Sequence, residues 1–318
     1  MSDATRPEPY WIPPLPSIQV QSFLNSIGPS PGGMDRDIHV LREETRKIIR
    51  RFSGVPETVA EIKQVDADGV RARLYRPKHE SADVLVWFHG GAWMLGELDD
   101  HDELACAIAN RALCNVLSVE YRLAPEHPYP AAIDDSWSAT LWASRLFGKV
   151  AVGGDSAGGN LAAAVALRAR DRGVDLSLQL LVYPALDAEL QSPFLTEYSR
   201  RYGEEPVKGL RQVWDVYLAD PQNRAEVDAS PMRASSLSGV TSALIVLAEY
   251  DPLRGEGEEY ARRLREDGVR VDLYVYPGQI HGFYSFLDVF DDAGDAVNRT
   301  AKALRVAFDR NGEVELHE

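Results

Sequence analysis

Cysteine is nearly absent from this chain: Cys106 and Cys114 are the two in 318 residues. That excludes a disulfide framework, and neither thiol has the spacing or the partners of a metal site, so both are read as reduced thiols on a helix and its exit. Long apolar runs are missing too. No stretch is long enough to span a bilayer, and no stable membrane insertion is expected. The first residues, Met1-Ser2-Asp3-Ala4-Thr5-Arg6-Pro7-Glu8-Pro9, hold no apolar signal core, so the expected location is cytoplasmic. Basic residues are in the minority, with 34 Lys and Arg against 49 Asp and Glu, for a net charge of −15. Such a surface repels phosphate, which counts against nucleic acid and anionic membranes as partners and favours neutral substrates. The acidic residues are dispersed rather than gathered in a tail, as suits a solvated surface.

What is present begins with a strong apolar fraction, 45% of the chain, enough at this length for one large core. The most informative stretch is Gly154-Asp155-Ser156-Ala157-Gly158. It follows the apolar run Val150-Ala151-Val152 and precedes Asn160-Leu161-Ala162-Ala163-Ala164-Val165-Ala166-Leu167, a strong helix former. A serine between strand and helix, flanked by glycines where a Cβ would clash, has its hydroxyl pushed into open space on a nucleophile elbow. The start of the following helix adds unpaired N–H groups and a dipole that favours developing negative charge. The five-residue pattern alone is weak, so its company decides.

His89-Gly90-Gly91-Ala92-Trp93 ends the apolar run Val84-Leu85-Val86-Trp87-Phe88, at the strand tip where open α/β sheets bind ligands. Adjacent glycines let backbone N–H groups turn toward a substrate oxygen, which assigns Gly90, Gly91 and Ala157 as oxyanion-hole donors. Asp251 follows the strand Ala243-Leu244-Ile245-Val246-Leu247-Ala248, and His281 follows Val271-Asp272-Leu273-Tyr274-Val275-Tyr276 and the expected turn Pro277-Gly278. The order Ser156, Asp251, His281 is that of α/β-hydrolases and differs from those of chymotrypsin-like and subtilisin-like proteases. His281 would take the Ser156 proton, and Asp251 would fix its tautomer and stabilise the imidazolium. Among the remaining histidines, His39, His79, His101 and His317 stand in polar segments and are read as solvated. His127 is read as bracing a Pro-rich loop, and His89 as fixing the glycine loop by hydrogen bonding.

Five segments together resemble the hormone-sensitive-lipase branch of the α/β-hydrolases, the bacterial family IV esterases. They are His89-Gly90-Gly91, Tyr121-Arg122-Leu123-Ala124-Pro125-Glu126, Gly154-Asp155-Ser156-Ala157-Gly158-Gly159-Asn160, Asp251-Pro252-Leu253-Arg254 and His281-Gly282-Phe283, in the family's order. The resemblance spans most of the chain. It implies an α/β-hydrolase fold, a mostly parallel, twisted eight-stranded sheet flanked by helices with a helical cap. It also implies hydrolysis of short- to medium-chain carboxylic esters through an acyl-enzyme, and a homodimer that could form through the last strand and last helix. The chain departs from the family at Ala92, where many relatives carry a third glycine, and at Gly255, where an acidic residue is common. The first departure is expected to alter pocket shape rather than mechanism.

Along the chain, Trp11-Ile12-Pro13-Pro14-Leu15-Pro16 is expected to form an extended arm. After Gly32-Gly33, Ile38, Leu41, Thr45, Ile48 and Ile49 give Asp35 to Arg51 the spacing of an amphipathic helix whose apolar face could roof an active site. Val59–Val65 and Val70–Tyr75 read as strands joined at Asp66-Ala67-Asp68-Gly69, a hairpin signal. Strand and helix then alternate: a strand over Asn115–Tyr121, a helix over Pro130–Phe147, the elbow, and a strand over Leu176–Tyr183, as in a parallel sheet. The pattern breaks at Leu186 to about Val227, a polar stretch bearing Phe194, Tyr198, Tyr202, Trp214 and Tyr217, which reads as an insertion. Helices follow over Gly255–Asp267 and Asp295–Phe308. The expected organisation is a cap segment over 1–55, a catalytic domain over 56–187 and 228–318, and a second cap piece over 188–227.

The expected chemistry is acyl transfer from a small-molecule ester to Ser156 and then to water, which requires no metal and no organic cofactor. Trp93 and Tyr183 are candidates for lining the pocket. An amide or formamide hydrolase on the same triad is the alternative, since the triad does not distinguish leaving groups. A non-catalytic small-molecule receptor is disfavoured by the presence of His281, and a lipase acting at a membrane surface by the acidic composition.

Overall fold

The computed structural model describes residues 16–28 and 36–309. The expected arm falls outside them except for Pro16, as do Gly32-Gly33 and His317. The first element is one the sequence reading did not contain, α1 (Ile18–Ile27), capped by the Ser17 side chain, which accepts from the Val20 N–H at 3.3 Å. It buries only Val20 and Phe23, so its apolar periodicity is thin. Helix α2 (Ile38–Phe52) starts later than expected, after Asp37, whose carboxylate accepts from the His39 and Val40 amides. Strands β1 (Glu61–Asp66) and β2 (Arg71–Arg76) form the expected hairpin. Its loop is Asp68-Gly69, both at positive φ, closed by the Ala67 N–H on the Val70 carbonyl at 2.7 Å.

Largely apolar runs then give strands buried on both faces: β3 (Val84–Phe88), β4 (Asn115–Val119), β5 (Val150–Asp155) and β6 (Gln179–Val182). With β7 (Ala243–Tyr250) and β8 (Val271–Ile280) they complete an eight-stranded sheet in the order β1-β2-β4-β3-β5-β6-β7-β8. Pairing is antiparallel from β1 to β2 and from β2 to β4, and parallel throughout the rest. Pro277-Gly278 does not end β8 as expected. The strand continues past it to Ile280 with a shift of register against β7 between Ala248 and Tyr250.

Alternation along the strands divides the interior into two cores. Val84, Val86 and Phe88 join Val152 and Leu161 on one face, which α4 (Ala131–Leu146), α5 (Ala157–Arg172) and α8 (Arg254–Glu266) cover. Leu85 and Trp87 join Ala151 and Leu180 on the other, beneath α3 (Asp102–Ala112) and α9 (Asp291–Ala307). Cys106 and Cys114 are buried there, and neither forms a disulfide among the described residues. The insertion carries α6 (Pro193–Tyr202) and α7 (Glu205–Leu218). Trp214 and Tyr217 of α7 are fully buried in the first core, so these aromatics pack inward on the body.

The join between β5 and α5 holds the closest approach at any glycine among the described residues. A Cβ on Gly154 would lie 2.3 Å from the Phe88 carbonyl oxygen, and one on Gly158 only 1.8 Å from the same atom. Both obstacles are backbone and cannot swing aside. Gly158→Ala is therefore expected to destabilise the fold by roughly 3 kcal/mol or more through overpacking, read as a lower urea midpoint. An unchanged midpoint would show that β3 and the turn can separate without cost.

Candidate active site

Four strand ends converge. β3 delivers His89-Gly90-Gly91, β5 delivers Ser156, β7 delivers Asp251 and β8 delivers His281. Ser156 sits at φ 55°, ψ −116°, a conformation that side chains avoid and that the surrounding glycines and β3 impose. Its N–H donates to the Val182 carbonyl at 2.8 Å, which ties the turn to β6. The hydroxyl lies 2.9 Å from His281 Nε2, and His281 Nδ1 lies 2.7 Å from Asp251 Oδ2. Asp251 is fully buried, and its other oxygen accepts from the Leu253 N–H at 2.8 Å. The carboxylate thus holds Nδ1 as the donor and leaves Nε2 as the acceptor facing Ser156.

The glycine loop departs from expectation at one point. The Gly90 N–H donates to Asp155 Oδ1 at 2.9 Å, so it is not available to a substrate oxygen. Gly90 is instead the link between the loop and the elbow, and a Cβ there would lie 2.3 Å from Asp155 Oδ2. The amides of Gly91, Ala92 and Ala157 have no acceptor among the described residues. Gly91 and Ala92 share positive φ, 117° and 56°, with Trp93 next at 56°. Successive residues of this kind turn their N–H groups toward a common point. Ala92, expected to alter only the shape of the pocket, thus has a free amide beside that of Gly91, whereas the Gly90 amide is engaged.

A cavity of about 370 Å³ opens at Ser156 and His281. Its apolar wall comes from Phe23 of α1, Ile48 and Ile49 of α2, Leu95 and Phe286, so the expected roof role of α2 describes where that helix lies. Tyr183 lines it, with its ring 4.6 Å from that of His281. Trp93 does not. It is buried in the first core, stacked at 4.2 Å on Tyr217 and packed on Trp214, because the loop's positive φ turns its side chain away from the cavity. No residue of 188–227 lines the cavity among the described residues.

Helix α2 buries none of its residues completely. It is fastened by charge: Arg42 forms a bidentate pair with Glu126 at 2.7 Å and donates to the Met94 and Ala124 carbonyls, while Arg46 pairs with Glu97. Arg42 draws the Glu126 carboxyl down to about 2.

Burial acts to lower the His281 pKa, but the charge and hydrogen bond of Asp251 and the charge of Asp155 outweigh it, and the net shift is upward. Burial pushes Asp155 up to about 6, against the Gly90 hydrogen bond and the charge of His281. His89 is held down at about 4 by burial. Its Nδ1 lies 2.7 Å from the Gly90 carbonyl, and Tyr121 donates to the His89 carbonyl at 2.7 Å, so His89 braces the loop as expected. His101 corrects its reading as a solvated residue. It is buried, stacked 5.1 Å from His89, and held down at about 3 by burial, because helix α3 turns it under the loop despite its polar neighbours.

A mostly parallel sheet with a serine turn after its central strand, and acid and histidine on the following strand ends, defines the α/β-hydrolase class. Residues 85–285 match the family model described as the alpha/beta hydrolase fold. The chain belongs to this family, within the branch that resembles hormone-sensitive lipase. It is 38% identical over 318 residues to the carboxylic ester hydrolase LipN of Mycobacterium tuberculosis, covering 93% of this chain and 83% of that one. It is 40% identical over 291 residues to the carboxylesterase NlhH of the same organism, covering 85% and 90%. The solved structure of a hyperthermophilic esterase from the archaeon Pyrobaculum calidifontis superposes with a TM-score of 0.83 at 36% identity, covering 92% and 98%.

The electrostatics make the His281 imidazole titrate above the ordinary 6.5, and Asp251→Asn is expected to bring it below that value, because burial then prevails. Histidine NMR titration of the two proteins reads both midpoints. Equal midpoints would mean that Asp251 does not set the charge of His281.

Proposed function

We propose that this protein is a serine carboxylesterase in which Ser156 attacks a carboxylic ester, His281 serves as base and then acid, and Asp251 orients it. The chain of hydrogen bonds from Ser156 through His281 to buried Asp251, at the mouth of an apolar cavity, carries this reading. The proton leaves Ser156 Oγ for His281 Nε2 as the carbonyl carbon is attacked, and the same nitrogen returns it to the departing alkoxide. Gly91, Ala92 and Ala157 donate to the oxyanion. Water, deprotonated by His281, then releases the carboxylic acid. The names of the relatives support ester hydrolysis, and each step is supplied by this chain's own groups. A cavity of about 370 Å³ suits acyl chains of short to medium length. The enzyme would act in the cytoplasm on neutral small-molecule esters, consistent with its net charge of −15, and no helix among the described residues is long and apolar enough to cross a membrane. The open edge of β8 beside α9 suits a homodimer.

We also propose the division into a cap over 1–55 and 188–227 and a catalytic domain over 56–187 and 228–318. The support is strongest for the first segment, whose α1 and α2 form one wall of the cavity.

Two measurements test these readings. Hydrolysis of p-nitrophenyl esters from C2 to C16, set beside matched anilides, is expected to peak at short to medium chains, to favour the esters, and to fall by about 10⁴-fold or more in folded Ser156→Ala. Retained turnover in that variant would remove Ser156 from the mechanism, and a preference for anilides would replace the esterase by an amidase. For the cap, Arg42→Ala is expected to raise KM roughly fivefold, for a loss of about 1 kcal/mol of docking, with kcat little changed. High salt should reproduce part of that rise in the wild type. An unaltered KM would separate α2 from substrate binding.

A further inference from the structure

Asp155 stands beside the nucleophile, 6% exposed, and none of the steps above uses it. One oxygen takes the Gly90 N–H at 2.9 Å and so ties the end of β3 to the end of β5. Two groups meet there that the reaction needs in fixed relation: the loop amides of Gly91 and Ala92 on one side and the Ser156 hydroxyl on the other. Asp155 and His281 also line the same cavity, and the charge of Asp155 adds to that of Asp251 in raising the His281 pKa. The other groups around Asp155 are neutral near pH 7. Tyr121 beyond β4, Tyr183 beyond β6 and Tyr284 beyond β8 all have phenol pKa values pushed up by burial, with the charge of Asp155 adding to the rise. His89, on β3's side, is held down at about 4 by burial. His281 is therefore the group that can answer the charge of Asp155.

We propose that Asp155 is a positioning residue with two roles: its hydrogen bond to Gly90 sets the oxyanion loop against Ser156, and its negative charge supports the imidazolium formed on His281. This rests on the serine reading. With its carboxyl at about 6, Asp155 is ionised at neutral pH, when attack by Ser156 places a positive charge on His281. The imidazolium then forms under the charge of two carboxylates, and the loop amides meet the oxyanion without rearrangement.

Two substitutions separate the roles. Asp155→Asn keeps the size and an acceptor for Gly90 but removes the charge. With p-nitrophenyl butyrate it is expected to lower kcat about tenfold at nearly constant KM, and to move the acid limb of kcat/KM to lower pH by about one unit, since one pKa unit corresponds to a factor of ten. Asp155→Ala removes the acceptor as well and is expected to lose roughly a further tenfold, as an oxyanion donor set that has lost its support does. Asp155→Val, which fills the space without accepting, replaces it if the alanine variant does not fold. A profile and kcat for Asp155→Asn equal to wild type would overturn the charge role. Turnover in Asp155→Ala or Asp155→Val equal to that of Asp155→Asn would overturn the loop role. A merely structural Asp155 would lower the fraction of active enzyme without moving the acid limb. Ser156→Ala, assayed beside them, tests the serine reading separately: turnover there would undo that reading, whatever the Asp155 variants do.

Discussion

The site depends on a backbone approach: the carbonyl of Phe88, at the end of β3, lies against the turn that follows β5. Only hydrogen fits at Gly154 and Gly158, and with hydrogen there the two strand ends come close enough for one carboxylate to reach across. The strained conformation of Ser156 is held by this contact and by its own amide on β6. The hydroxyl, the loop amides and the histidine therefore share one rigid frame. A single methyl added at either glycine would disturb all of them.

Charge is arranged with the same economy. Asp251 is taken out of water entirely, which would be costly for a lone carboxylate, but it accepts from an imidazole and a backbone amide. Asp155 accepts from the Gly90 amide, and burial raises its pKa. Two buried acidic side chains that act on the same histidine thus have different hydrogen-bond partners. His89 and His101 go the other way: burial leaves them neutral, and they serve as flat packing units under the loop.

Most of the scaffold was legible in the sequence because buried parallel strands are largely apolar runs and the candidate site residues follow each run at a fixed place. Ser156, Asp251 and His281 could be named in this way, and so could the hairpin at Asp68-Gly69. What escaped depends on three-dimensional neighbours. The direction of the Gly90 amide is set by Asp155, 65 positions away, and no local pattern distinguishes it from the Gly91 amide. Trp93 follows the glycine loop, yet consecutive positive φ values turn it into the core beside α7. His101 lies in an acidic segment, and its burial comes from the way α3 packs below the loop. Helix α1 gives up only two residues to the core, too few for a periodic signal.

Helix α2 supplies Thr45, Ile48 and Ile49 to the cavity wall yet buries no residue completely. A side chain that faces the cavity but scarcely supports the fold is open to exchange at small cost in stability. Substitutions in α2 alone can therefore reshape this wall of the cavity while Gly154, Gly158 and Asp155 stay fixed. The cavity wall and the frame beneath it are, in that sense, inherited separately.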